Sequence, residues 1–112
     1  MIEEDFYATI KLKSGEEIFA KVAASEEEDR TLLIISNPIT INEVKAKNGI
    51  YGYRIEPWLK TTKDDMFMIN LSDVLTISES SDVEVITMYQ KWVKDTTRVK
   101  NKEPKLSREM GY

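Results

Sequence analysis

FYATIKLKSGEEIFAKVAA, residues 6–24, is the stretch whose reading decides the fold. From Phe6 to Lys13 the residues alternate, with Phe6, Ala8, Ile10 and Leu12 on one side and Tyr7, Thr9, Lys11 and Lys13 on the other. Successive side chains of an extended chain point to opposite faces, so this period of two marks a half-buried strand. Ser14-Gly15 supplies a tight turn, and Ile18, Ala20, Val22 and Ala24 resume the alternation. The pair reads as a β-hairpin. Phe19 falls on the outer face of its second strand, where cover from a helix or a neighbouring chain is expected.

Ser25 to Arg30 is a charged loop, and Thr31-Leu32-Leu33-Ile34-Ile35 is the continuous apolar run of a strand covered on both faces. Asn37-Pro38 punctuates it before Ile39-Thr40-Ile41 resumes. A structureless loop over 42–65 would be too long for a small domain. Lys47-Asn48-Gly49 reads as a turn between extended segments around Val44 and Tyr51–Ile55, which predicts a hairpin-like excursion. Met66–Ile69, Asn70–Asp73 and Val74–Ile77 then read as strand, tight turn, strand. Ser81 with Glu84 three residues on is a capping box, strengthened by Asp82. Val85, Ile86, Tyr89, Trp92 and Val93 recur at three- and four-residue spacing, which predicts an amphipathic helix over about 82–95. After Asp95 the chain is polar and contains Pro104, so 96–112 is expected to be a basic, flexible tail on a domain of residues 1–95. The expected architecture is mainly β: a small, strongly bent, five-stranded antiparallel sheet or open barrel with a C-terminal helix.

Composition narrows the function classes. The 112 residues suit one domain with a modest core. Cysteine and histidine are both absent, which excludes disulfides, thiol nucleophiles, Ser-His-Asp arrangements and the usual zinc ligand sets. Net charge is −4, with acids concentrated toward the start and bases such as Arg98, Lys100, Lys102, Lys105 and Arg108 toward the end. The acidic opening Met1-Ile2-Glu3-Glu4-Asp5 does not read as a leader, and no apolar run approaches the roughly 18 residues of a membrane span. A soluble cytoplasmic protein without membrane contact is expected. Carboxylates, serines and lysines are scattered, and Asp64, Asp65 and Asp73 lack the spacing of a calcium loop. No catalysis, metal or cofactor is expected.

An open barrel leaves unpaired strand edges, and Met66–Ile69 carries neither charge nor proline to blunt one. Pairing with a second copy of the chain would remove the problem. Met66, Phe67, Met68, Ile69, Val74 and Ile77 are therefore the expected interface of a cyclic homo-oligomer of about five to seven subunits.

Barrels of SH3 and OB type share this strand pattern, and two segments add a family resemblance. Leu12–Val22 resembles the first motif of the Sm-like proteins (LSm and Hfq type). Gly15 matches its first glycine, Ala20 stands where a second is usual, Val22 and Leu33 keep the apolar spacing, and Glu26 replaces an aspartate. Ile69–Ile77 resembles the second motif at Ile69, Val74 and Ile77. The resemblance implies an SH3-type open barrel, a ring, and single-stranded RNA as partner. The family's base-contacting Met-Asn pair, however, falls on Asp29-Arg30, and its Arg-Gly pair falls on Asn70-Leu71. Asn70 can still bond a base edge and Arg30 can stack on one, but Glu26, Glu27, Glu28 and Asp29 crowd the same loop. The helix is also displaced, following the last strand instead of preceding the first. The chain resembles a divergent member of phage origin that would act in the host cytoplasm. It is expected to be an RNA-binding or RNA-chaperone-type ring, or else a homo-oligomeric scaffold or virion-associated interaction protein. The richest cluster is Tyr51-Gly52-Tyr53-Arg54 with Trp58 and Lys60. It reads either as a stacking platform at ~1–3 kcal/mol per base or as cross-strand packing, with Trp58 plugging the barrel end. The RNA-binding set is thus Tyr51, Tyr53, Arg54, Lys60, Arg30 and Asn70.

Overall fold

The computed structural model describes residues 5–109, with side chains described through residue 97. Six strands are present: β1 (Phe6–Leu12), β2 (Glu17–Glu26), β3 (Thr31–Lys45), β4 (Tyr51–Pro57), β5 (Met66–Asn70) and β6 (Val74–Glu79). The order is β4-β3-β2-β1-β6, with β5 also on β3, and every pairing is antiparallel. The sheet does not close, because β5 pairs only with β3 and β6 only with β1.

The opening hairpin forms as its alternation dictates. Ala8 lies opposite Ala20 and Ile10 opposite Ile18. Gly15 closes the turn at φ 98°, a left-handed conformation that glycine adopts without a Cβ clash, and its N–H donates to the Leu12 carbonyl at 2.9 Å. The inward face of Ala8, Ile10, Leu12, Ile18, Ala20, Val22, Leu33 and Ile35 is the core, and Phe6, Trp58, Phe67, Ile69, Val74 and Ile77 pack against it. Phe19, on the opposite face, is buried, as are Ala23 and Ile39.

β3 is one strand with a bend where the sequence breaks at Asn37-Pro38. Phe19 pairs with Ile39 and Lys21 with Ser36, so Ala20 alone faces two residues of β3. That is a β-bulge, and Asn37 takes the left-handed φ of 48° that asparagine tolerates better than most residues. Before the bend, Leu32–Ser36 pairs with β5; beyond it, Ile39–Lys45 pairs with β4. The excursion is therefore a hairpin, closed by Ala46 N–H donating to Ile50 C=O at 2.9 Å. Its return limb is β4, which raises the expected five strands to six.

Residues from Asp82 onward form a second compact unit. Its helix α1 spans Val83–Glu109. The cap is Asp82, one residue later than the expected Ser81: Asp82 Oδ1 accepts from Glu84 N–H at 3.0 Å and Val85 N–H at 3.4 Å. The expected end at Asp95 also needs correction. Helical backbone continues through the stretch expected to be a loose tail, Pro104 included. Lysine, arginine and glutamate are good helix formers, and no glycine stands between Asp95 and Gly111 to stop the run. Val85, Ile86, Trp92 and Val93 are half-buried and Tyr89 is buried, so the apolar stripe is the less exposed side of the helix.

Candidate assembly edges and nucleic-acid surface

The loop after β2 and the turn after β5 meet. Arg30 and Asn70 line a shallow depression of about 420 Å³ together with Asp29, Thr31, Leu71 and Ser72. The sequence alone had set these two residues forty positions apart on matching motif positions, and β3–β5 pairing brings them together by placing Leu32 opposite Asn70. Asn70 is partly committed. Its Oδ1 accepts from Ser72 N–H at 3.2 Å, capping the 3-10 turn Leu71–Asp73 and leaving its amide N–H groups as donors. Glu26, Glu27, Glu28 and Asp29 are all exposed beside Arg30, so the loop presents far more negative than positive charge.

The hairpin divides the other expected binding residues. Register pairs Tyr51 with Lys45 and Tyr53 with Glu43, while Arg54 pairs with Asn42. Strand alternation therefore puts both tyrosines on one face and Arg54 on the other. The cluster that the sequence groups together, Tyr51, Tyr53 and Arg54, is thus divided between two faces. Tyr51 is 62% and Tyr53 69% exposed, so their rings are not cross-strand packing against a core. The Lys45 ammonium lies 5.5 Å from the Tyr51 ring centre, a cation–π contact. Arg54 and Lys60 converge instead on Glu56, at 3.8 Å and 2.7 Å. The hydrogen bond from Lys60, then its charge and that of Arg54, hold the Glu56 carboxyl below its ordinary value of 4.5. Trp58 belongs to the barrel. It packs on the core edge-on to Phe67, with ring centres 6.3 Å apart, and its indole N–H donates to Glu16 Oε2 at 2.9 Å.

At the sheet's open side the expected interface residues split by alternation. Phe67, Ile69, Val74 and Ile77 point inward onto the core. Met66 and Met68 stand outside it at 60% and 69% exposure. Backbone phase follows from one bond: Asn37 N–H donates to Asp65 C=O. Antiparallel pairs alternate, so Phe67 and Ile69 bond β3, and the backbone groups of Met66 and Met68 face the free edge. On β6 the pairing slips between Lys11 and Leu12, leaving Leu75 as the extra, unpaired residue, 66% exposed.

Two residues of consequence are missing from the residues that the sequence singles out. Leu75 sits in a bulge, which no periodicity announces. Glu56 was detectable, because Glu56 and Lys60 are four apart and Arg54 and Glu56 lie on one strand face. Among the described residues no group of acids is placed to hold a metal ion, and no buried side-chain polar atom lacks a partner. No helix there is long and apolar enough to cross a membrane.

No curated protein sequence matches the chain. A family model described as the Sm_like domain matches residues 9–90, a span that includes both motif stretches and runs from within β1 into α1. Together with an open antiparallel sheet bent at β3 and a Gly15 turn between its first strands, that match identifies the chain as belonging to the Sm-like family.

Proposed function

We propose that the protein is a ring-forming Sm-like subunit that binds single-stranded RNA, and that the tyrosine face of its β3–β4 hairpin contributes more to that binding than the Arg30–Asn70 depression. The observation that carries the ring is the pair of unpaired edges at the sheet's open side, with Met66, Met68 and Leu75 exposed along them. A β5 edge meeting a neighbour's β6 edge is a head-to-tail contact, which repeats until it closes. Bases can stack on Tyr53 and on the free face of Tyr51 with Lys45 beside them, while Arg54 and Lys60, on the opposite face of the same narrow hairpin, supply charge for phosphates of a strand that wraps its edge. The depression keeps only Arg30 and the Asn70 amide against the acids beside it.

Light scattering should report one ring of about five to seven subunits or a whole multiple of it, because a heterologous contact repeats until it closes. A monomer at micromolar concentration sinks the ring. Met68→Lys places a charge on the edge without touching the core and should dissociate the ring while leaving circular dichroism unchanged. Fluorescence anisotropy with short uridine- and adenosine-rich RNAs should show affinity that falls steeply with salt.

One observation favours a second reading, a homo-oligomeric scaffold without RNA. Glu26 to Asp29 are exposed at the position where the family's base-contacting loop stands, and Glu56 offsets the hairpin's positive charges. Salt-independent or absent RNA binding by an intact ring would select it.

A further inference from the structure

A ring uses two free edges of the sheet, those of β5 and β6. The hairpin adds two more among the described residues: the far half of β3, guarded by Glu43 and Lys45, and β4, whose outer side pairs with nothing. Its hydrogen-bonding phase can be derived. Ala46 N–H donates to Ile50 C=O at one end of the hairpin, and Trp58 N–H donates to Pro38 C=O at the other, both at 2.9 Å. Antiparallel pairs alternate between bonded and non-bonded, so Gly52, Arg54 and Glu56 bond to β3. Tyr51, Tyr53 and Ile55 therefore aim their N–H and C=O groups at the free edge. Pro57, next in that series, has no N–H to lose, which agrees with the phase. None of the three outward residues is charged or proline, so nothing on their own side chains blunts the edge.

We infer that this edge pairs antiparallel with the same edge of a second copy of the chain, about a two-fold axis at Tyr53. The three outward residues are centred on Tyr53, so the register is self-complementary: Tyr53 meets Tyr53 of the other copy, and Tyr51 meets Ile55. Every outward N–H and C=O of these residues then finds a partner. Aromatic–aromatic and aromatic–β-branched neighbours are the favourable cross-strand pairs. Arg54 comes opposite Gly52, where a side chain would meet nothing within 4 Å and the guanidinium has room. The approach of Arg54 to its equivalent is offset by the Glu56 that each already carries at 3.8 Å. Edge pairing lies in the plane of the sheet, so the tyrosine rings stay open on their face and the stacking surface doubles. A two-fold contact added to a ring gives dihedral symmetry, two rings joined through their hairpins. The inference needs the ring only for the number of copies, not for the pairing itself.

Native mass spectrometry of the full chain tests it. Tyr53→Pro removes an N–H that faces the free edge and costs β4 no bond to β3, so the hairpin should survive. The variant should halve the mass of the assembly, whereas Tyr53→Val, which keeps the edge N–H, should leave it unchanged. Met68→Lys should give a dimer, and Met68→Lys with Tyr53→Pro a monomer. A wild-type dimer in place of a multiple of the ring would uphold β4 pairing and overturn the ring. An unchanged mass for Tyr53→Pro, or a folded Met68→Lys monomer, would overturn β4 pairing.

Discussion

The two halves of β3 meet different fates. From Thr31 to Ser36 the strand is flanked by β2 and β5, and Leu33 and Ile35 are at most 3% exposed. From Asn42 to Lys45 it has only β4 beside it and every residue is exposed. Burial of apolar area explains the first half at about 25 cal/mol per Å². It does not explain the second, which holds its shape by a turn, a ladder of backbone bonds and a few surface pairs. A two-stranded ribbon of this kind is marginal by itself, so its exposed tyrosines are better accounted for by what they meet than by what they stabilise.

The largest effect should come from the buried half. Ile35→Ala empties a site that is 0% exposed and should cost ~2–5 kcal/mol, read as a fall in the urea midpoint. Ile41→Ala, on the half-buried root of the ribbon, should cost about 1 kcal/mol. Equal losses would mean the ribbon is as much a part of the core as the barrel, and the contrast would fail.

The bend between the halves ranks next. Asn37 holds φ 48°, where a β-branched side chain is strained. Asn37→Val should destabilise by about 1–3 kcal/mol, the usual cost of a non-glycine residue forced into a sparsely populated region. Asn37→Gly should leave the midpoint unchanged or raise it. A tolerated valine would show that the bulge can relax and that β3 is not pinned there.

These elements differ in how well the sequence announced them. The β1–β2 hairpin was legible because alternation, Gly15 and a single buried face all point the same way. The core residues Phe67, Ile69, Val74 and Ile77 were legible as apolar, yet whether they lined an interface or the interior was not. Both roles demand the same residues, and only strand phase separates Phe67 from Met68. The helix end is not legible because polarity and Pro104 both argue for a stop, whereas the helical backbone runs through Pro104 to Glu109. The separation of Arg54 from the tyrosines was available in the period of two, and proximity in sequence concealed it. The Arg30–Asn70 depression depends on long-range pairing, which the motif resemblance suggested and local pattern did not.

A third prediction sets the hairpin against the depression. Arg54→Ala should weaken RNA binding several-fold and lower the salt slope by about 1, the signature of one lost phosphate contact. Asn70→Ala should change affinity less, because Asn70 already spends its carbonyl oxygen on Ser72 and stands beside repelling acids. A larger loss from Asn70→Ala would return the binding site to the depression and leave the hairpin a role in assembly alone.

The smallest effect concerns Glu56, and it separates stability from binding. Its carboxylate accepts from Lys60 at 2.7 Å and lies 3.8 Å from Arg54. The Lys60 hydrogen bond is the main reason its pKa lies below 4.5. A carboxylate depressed on folding contributes stability at any pH above its unfolded value and loses that contribution as pH falls through the folded one. The window is thus acidic, below about 4.5, and the contribution is slight because the group is solvated and screened by salt. Glu56→Gln should therefore leave thermal unfolding at neutral pH almost unmoved. It should nevertheless raise RNA affinity, because Arg54 and Lys60 lose the anion that now offsets them, and phosphate takes its place. Anisotropy at neutral pH across a salt series reads this directly, with a tighter Kd and a steeper slope than wild type. Weaker binding by Glu56→Gln would mean that the carboxylate positions the two cations for phosphate instead of competing with it, and the hairpin would then act as a preset site.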